Sequence, residues 1–120
     1  MQETETNQMT ELSIIQPDTI FRTKMYEKFL TLEQKLICDK YLNNTLHWIA
    51  THKNGKADIR SLITLLVALL DSKYFLPNKD LKIKIFFESR YQIILGQNFE
   101  RKRREPLLEK YKTVFYDYPF

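Results

Sequence analysis

Glycine, proline and cysteine are scarce in this chain of 120 residues, which has two glycines, four prolines and one cysteine. So few glycines and prolines leave few positions for sharp turns, which argues against β-sandwiches, barrels and phosphate-cradling nucleotide folds. The one cysteine, Cys38, cannot form a disulfide within the chain, and this favours a reducing compartment. We therefore expect a cytoplasmic protein.

Long hydrophobic runs and targeting signals are also missing. The longest strongly apolar stretch, residues 62–70, is far shorter than the roughly 20 residues that a membrane span needs. The N-terminal residues 1–7 are acidic and polar, the opposite of the basic start and apolar centre of a signal peptide. The sequence thus predicts no membrane partner.

The remaining composition is that of a folded globular domain, with 43% hydrophobic and 28% charged residues. We expect an all-α fold, a compact bundle of about five helices with a central leucine-rich helix. This single domain is predicted to occupy residues 17–120, of which 79–120 form a basic part. Residues 1–16 are predicted to be a flexible or frayed arm, and the alternative is a first helical turn.

A helical stripe of apolar residues begins at Phe21 and extends to about Thr51, with apolar positions recurring at steps of three and four. Asn54-Gly55 is predicted to end this helical segment, because glycine readily adopts the left-handed conformation of a helix terminus. Thr31 and the Glu-Gln pair that follows it fit a capping box. This motif favours two tightly joined helices over one long helix. Cys38 falls within the stripe, so its thiol is expected to be buried and inert.

Further helices are predicted in the second half of the chain. Asp58 is expected to cap a helix over residues 59–73, whose centre is apolar on nearly every side and therefore belongs in the core or at a subunit interface. Residues 81–85 alternate like a strand, but a helix is favoured because one short strand would have no partner. Pro106 suits the first turn of a last helix.

The net charge of +4 is concentrated in the last third of the chain. Residues 1–78 hold nine basic and nine acidic residues, whereas residues 79–120 hold ten basic and six acidic ones. The densest group, here named the basic cluster, is Arg101-Lys102-Arg103-Arg104. The planar guanidinium of arginine donates two parallel hydrogen bonds to phosphate, so the cluster is suited to nucleic acid.

Two amide residues, Gln97 and Asn98, precede the basic cluster, and such side chains can pair with adenine edges. We predict a short helix that enters a groove of double-stranded DNA with phosphate contacts behind it. The predicted contacts are Gln97, Asn98, Arg101, Lys102, Arg103 and Arg104. The alternative is a solvated helix face whose charge is partly neutralised by neighbouring glutamates.

Patterns typical of enzymes and metal sites are missing from the sequence. His47 and His52 are five residues apart, which displaces them from one helix face, and there is no CxxC pair. The sequence contains no Walker loop, dinucleotide fingerprint or recognisable pair of acids. We expect no catalytic activity, no metal and no cofactor.

Aromatic residues are frequent in the basic part of the chain. Phe99, Tyr111 and Phe115 lie in phase with apolar neighbours and are predicted to border the core, although aromatics among cations can also stack on unpaired bases. The tail residues Tyr116, Tyr118 and Phe120 are predicted to contact a second copy, because exposed aromatics often anchor interfaces. A homodimer is therefore a second candidate assembly.

Several short motifs follow one another between residues 54 and 112. They are Asn54-Gly55-Lys56-Ala57-Asp58-Ile59, a leucine-rich helix with Ala68-Leu69 and Ser72, then Phe87-Glu88, Ile93, Leu95-Gly96 and the arginine-rich stretch. This half of the chain resembles the RteC family, transcriptional regulators from conjugative elements of Bacteroidetes. The resemblance implies a helical C-terminal DNA-binding domain and a role in controlling mobile-element genes.

The sequence thus leads to two functional hypotheses. The first is a small helical DNA-binding or regulatory accessory protein of a bacterial mobile element. The alternative is a non-catalytic protein–protein interaction module, either a homodimer or an antitoxin-like partner. In that case the hydrophobic helix and the aromatic tail carry the interface, and the basic cluster only increases solubility.

Overall fold

A computed structural model describes residues 15–97, 99 and 112–120, which contain three α-helices and one 3₁₀ helix. The 3₁₀ helix is Pro17–Thr19, and the α-helices are α1 (Met25–Cys38), α2 (Ile59–Asp71) and α3 (Asp80–Tyr91). Isolated antiparallel bridges are the only β-pairing among these residues. The described part of the chain is therefore all-α, while the bundle of about five helices with a central leucine-rich member stays a prediction.

Among the described residues, no helix is long and apolar enough to cross a bilayer. The predicted N-terminal arm, residues 1–16, lies outside the described residues except for its last two. Of these, Ile15 is partly buried and packs against the core.

Helix α1 begins four residues later than the start of the apolar stripe, because Lys24 has a left-handed backbone with φ of 70°. The helix then runs through Thr31 without a break. The hydroxyl of Thr31 donates to the backbone oxygen of Glu27 within the helix at 3.4 Å, so it caps no new helix. The prediction that Thr31 separates two helices is wrong.

The predicted helical continuation to Thr51 is also wrong, since α1 ends at Cys38 and a looped segment follows. The side-chain oxygen of Asn43 accepts the backbone N–H groups of Thr45 and His47 at 3.0 and 2.9 Å. Asparagine commonly forms such turns because its side chain mimics a backbone carbonyl. The thiol of Cys38 is exposed at the helix end, so its predicted burial is wrong as well.

Helix α2 forms where the sequence predicts it. The carboxylate of Asp58 accepts the backbone N–H of Ser61 at 3.0 Å, which confirms the predicted cap. Residues 62–69 are all buried, as expected for a helix that is apolar on nearly every side. The polar member, Thr64, donates its hydroxyl to the backbone oxygen of Arg60 at 2.7 Å and so is satisfied inside the helix.

Helix α3 includes residues 81–85, which confirms helix over strand for this segment. Ile83, Phe86, Phe87 and Tyr91 are buried, so the helix has one core-facing side. Its aromatic side chains pack on α1, where the rings of Phe29 and Phe87 meet edge-on with centroids 5.6 Å apart. Such pairs contribute roughly 0.5–1.5 kcal/mol beyond area burial.

Candidate nucleic-acid interface

A buried ionic group, here named the Glu33 clamp, joins α1 to the C-terminal end of α3. It consists of Glu33, Arg90 and Tyr91. The carboxylate of Glu33 accepts Nε and Nη2 of Arg90 at 2.7 and 2.6 Å and the hydroxyl of Tyr91 at 2.8 Å. Glu33 is only 2% exposed, so these three donors replace water around a buried charge.

The electrostatics of the Glu33 clamp follow from this burial. The hydrogen bonds that Arg90 donates to Glu33 raise the pKa of Arg90, and burial raises the pKa of Tyr91 well above its ordinary value. The guanidinium also lies near the faces of Phe29 and Phe86 at 5.7 and 5.8 Å. The charge of Arg90 is therefore neutralised within the fold by the carboxylate of Glu33.

A second carboxylate fixes the turn through which the chain leaves α3. Oε2 of Glu88 accepts the backbone N–H groups of Leu95 and Gly96 at 2.7 and 3.2 Å. Leu95 is buried, and Gly96 has a φ of 58°, a backbone conformation that residues other than glycine rarely adopt. Gln97 follows this turn directly and is exposed.

The C-terminal segment, residues 112–120, packs against the end of α1. The hydroxyl of Tyr118 donates to Oδ2 of Asp39 at 2.6 Å, and Nζ of Lys35 lies 3.1 Å from Oδ2 of Asp117. Phe115 is buried against the core, which confirms its predicted role. Residues 112–120 are therefore fixed to the core by both polar and apolar contacts.

The predicted DNA-contacting residues fall into two groups. Gln97 is exposed in the turn after α3. Asn98 and the basic cluster (Arg101, Lys102, Arg103, Arg104) lie outside the described residues, as does Tyr111. Phe99, which precedes the cluster in sequence, is buried as predicted for the core border, whereas Lys112, the first described residue after it, is exposed.

The predicted interface residues differ in exposure. Tyr116 is 79% exposed, whereas Tyr118 is 7% exposed and bound to Asp39. Phe120 is partly buried, and its ring stacks on that of Tyr118 with centroids 6.2 Å apart. Burial, followed by the hydrogen bond to Asp39, raises the pKa of Tyr118. The contact of these three residues with a second copy stays a prediction.

A small hairpin precedes α2, and it is named here the 51–57 hairpin. Thr51 and Ala57 form an antiparallel bridge at its base. The backbone N–H of His52 donates to the oxygen of Lys56 at 2.9 Å, and Gly55 turns the tip with φ of 84°. Every residue from 51 to 57 is exposed. The Asn-Gly pair thus forms a hairpin tip, whereas the sequence pattern had placed it at a helix end.

A cleft of about 250 Å³ lies between this hairpin, the start of α2 and the C-terminal segment, and is lined by His52, Asp58, Arg60, Ser61, Thr64 and Val114. Nε2 of His52 lies 3.5 Å from Oδ1 of Asp58. The hydroxyl of Ser61 donates to the backbone oxygen of Asp58 at 2.8 Å instead of to His52. This is therefore no nucleophile–base arrangement.

Residues 15–97, 99 and 112–120 contain no group of three or more histidine, cysteine, aspartate or glutamate residues that could hold a metal ion.

Two features of this surface were not singled out by the sequence pattern. Glu88 was noted only within a motif, and its binding of the turn depends on a contact seven and eight residues along the chain. Lys53 and Lys56 do not stand out in the sequence because residues 1–78, taken as one block, are neutral. A count over residues 51–57 alone finds two lysines, one histidine and no acid, which would have marked the segment.

Comparison with protein-family models, with curated proteins and with solved structures finds no match to this chain. The proposed function is therefore based on the charge and the geometry of the chain itself.

Proposed function

We propose that this chain is a small helical DNA-binding or regulatory accessory protein of a bacterial mobile element, acting in the cytoplasm without catalysis, metal or cofactor. The observation that carries the proposal is the net charge of +4, which comes entirely from residues 79–120. The resemblance of the motifs in residues 54–112 to those of the RteC family supports the assignment to a mobile element. The proposed contacts with double-stranded DNA are Gln97, Asn98, Arg101, Lys102, Arg103 and Arg104.

The described charged residues nearest to the basic cluster in sequence have partners within the fold. The carboxylates of Glu88 and Asp117 bind backbone N–H groups and Lys35 respectively. Arg90 is held by Glu33. The cations of the cluster are proposed to bind phosphate.

Fixed flanking residues favour binding for a second reason. Phe99 and Phe115, which precede and follow the cluster in sequence, are both buried, so the chain is anchored to the core at these two points. Binding then costs less conformational entropy than it does for a free tail. In the proposed binding mode, the arginines of the basic cluster contact phosphates and fix the position of the protein along the duplex, while Gln97 and Asn98 contact base edges.

The test of this proposal is a fluorescence anisotropy titration of a random-sequence duplex of about 20 base pairs. The variant Arg101→Gln/Arg103→Gln/Arg104→Gln is expected to bind at least about 100-fold more weakly at low salt, because three phosphate contacts are lost. The charge-matched control K24Q/K73Q/K82Q removes three exposed cations elsewhere and should lose far less. Both variants should keep the wild-type melting temperature.

Two results would decide against the proposal. Unchanged affinity of the R101Q/R103Q/R104Q variant would remove the assigned site. A wild-type protein without saturable binding to duplex DNA at low salt would remove the DNA-binding function itself.

A homodimer is the second candidate function, and the observation that favours it is the exposure of two large apolar side chains. Tyr116 is 79% exposed and Ile94 is 80% exposed. Sedimentation at micromolar concentration should then show a dimer that Tyr116→Ser converts to monomer. This substitution leaves Tyr118 and Phe120 in their packed positions, so it tests the interface without removing the tail. A wild-type monomer would exclude this candidate.

A further inference from the structure

We propose that the 51–57 hairpin is a second phosphate-binding surface, which contacts the backbone of duplex DNA through Lys53 and Lys56. This inference rests on the proposed DNA-binding function and adds a site in a different part of the chain. It follows from three observations on the hairpin: its charge, its fixed geometry and its position beside the C-terminal segment.

The charge of the hairpin is entirely of one sign. Residues 51–57 contain Lys53, Lys56 and His52 and no acidic residue. Within the described part of the chain, no hydrogen bond or ion pair involves the ammonium group of Lys53 or Lys56. The nearest acid in sequence, Asp58, already binds the backbone N–H of Ser61 and lies 3.5 Å from His52. Both ammonium groups are thus available to an external anion.

The backbone of the hairpin is held firmly at its base. The backbone N–H of Asp58 donates to the oxygen of Ala50 at 2.8 Å, and Nε1 of Trp48 donates to the oxygen of Asp58 at 3.1 Å. Trp48 is itself buried in the core. At the tip, the side chain of Asn54 accepts the N–H of Lys56 at 3.0 Å. Two lysines on a fixed turn lose less freedom on binding phosphate than two on a free loop.

The position of the hairpin connects it with the proposed DNA contacts. Val114 of the C-terminal segment lines the same cleft as His52 and Arg60. Residues 112–120, the described end of the basic part of the chain, therefore lie beside the hairpin. A duplex bound to the basic part is proposed to extend over the hairpin as well.

A matched control is available at the opposite end of the helices. Trp48 contacts both the oxygen of Tyr91 and that of Asp58, so the end of α3 and the start of α2 lie together at the hairpin. Lys73 follows the other end of α2, and Lys82 lies in the first turn of α3; both are exposed. The length of α2, about 20 Å, separates Lys73 from the hairpin, and most of the length of α3 separates Lys82 from it.

The experiment compares the salt dependence of duplex binding by Lys53→Gln/Lys56→Gln with that of Lys73→Gln/Lys82→Gln. Each double variant lowers the net charge equally. For K53Q/K56Q, the slope of log affinity against log salt should become shallower by just under 2, and affinity at 0.1 M salt should fall by about tenfold or more. The control should keep the wild-type slope, and K53R/K56R should retain wild-type binding.

The possible failures can be told apart. If R101Q/R103Q/R104Q loses binding while K53Q/K56Q keeps the wild-type slope, the hairpin inference is wrong and the proposed function stands. If both lysine pairs weaken binding equally, the effect is one of net charge and the inference is again overturned. Absence of wild-type binding would overturn the hairpin site together with the proposed function.

Discussion

The Glu33 clamp and the 51–57 hairpin use basic side chains in opposite ways. In the clamp, Arg90 is mostly buried, and Glu33 and Tyr91 occupy its neighbourhood. In the hairpin, Lys53 and Lys56 are exposed, with no described partner. The clamp holds two helices together, whereas the hairpin presents charge to solvent. The role of a basic residue in this chain therefore depends on its surroundings and not on its residue type.

This difference has a thermodynamic consequence. Removing one partner of a buried ion pair leaves an uncompensated charge in a medium of low polarity, which is strongly destabilising. Removing an exposed lysine changes little in the folded state, because its ammonium is solvated both before and after unfolding. Stability and ligand binding should therefore respond to different substitutions.

The largest expected effect comes from breaking the clamp. Glu33→Gln should lower the free energy of unfolding by about 3–5 kcal/mol, because Arg90 then keeps a buried charge without its carboxylate. Urea denaturation measures this change. The matched control Glu27→Gln, on an exposed position of the same helix, should change it by less than about 0.5 kcal/mol. Equal effects of the two substitutions would contradict the structural role of the clamp.

The clamp should also make the fold sensitive to alkaline pH. Burial raises the pKa of Tyr91 above its ordinary value of 10.0, so the folded protein keeps this proton while the unfolded chain releases it. Stability is therefore unaffected below pH 10 and decreases as the pH rises above it, by about 1.4 kcal/mol per pH unit for this group. Unfolding free energies measured between pH 9 and 11 should decline less steeply for Tyr91→Phe than for wild type. Parallel profiles would contradict the assignment.

A smaller effect is expected at the base of the hairpin. Asp58→Ala removes the cap of α2 and should cost about 1 kcal/mol of unfolding free energy. Asp58→Asn should cost much less, since asparagine caps helices nearly as well. Thermal unfolding of the two variants tests this order. If both are equally destabilised, the carboxylate charge matters more than the cap.

The smallest effect on stability should come from the hairpin lysines. K53Q/K56Q is expected to change the unfolding free energy by less than about 0.5 kcal/mol. Chemical denaturation of the same protein preparation used for the binding titration provides the comparison. A loss of more than about 1 kcal/mol would show that these lysines support the fold, and the contrast with the clamp would then fail.

The sequence predicted those elements whose signals are local. Asp58 and the apolar run after it lie within one helix, so capping and periodicity were sufficient to predict α2. The looped segment after α1 was predicted as a helix because Cys38, Leu42, Leu46 and Ile49 repeat at steps of four, four and three. In the structure Leu42 instead forms an antiparallel bridge with Trp48, and both are buried outside any helix.

The site was predicted less completely than the helices. The basic cluster is a contiguous run and is visible in the sequence. The pairing of Glu33 with Arg90, by contrast, joins residues 57 positions apart, and no local pattern indicates it. Lys53 and Lys56 were overlooked because the glycine between them was interpreted as a helix terminus, although it turns a hairpin.

The most direct test of DNA binding by this chain is the salt dependence of wild-type affinity for duplex DNA. If the four cations of the basic cluster and the two hairpin lysines all contact phosphate, log affinity should decrease against log salt with a slope of about −5. A slope near zero, or no saturable binding at low salt, would contradict the account.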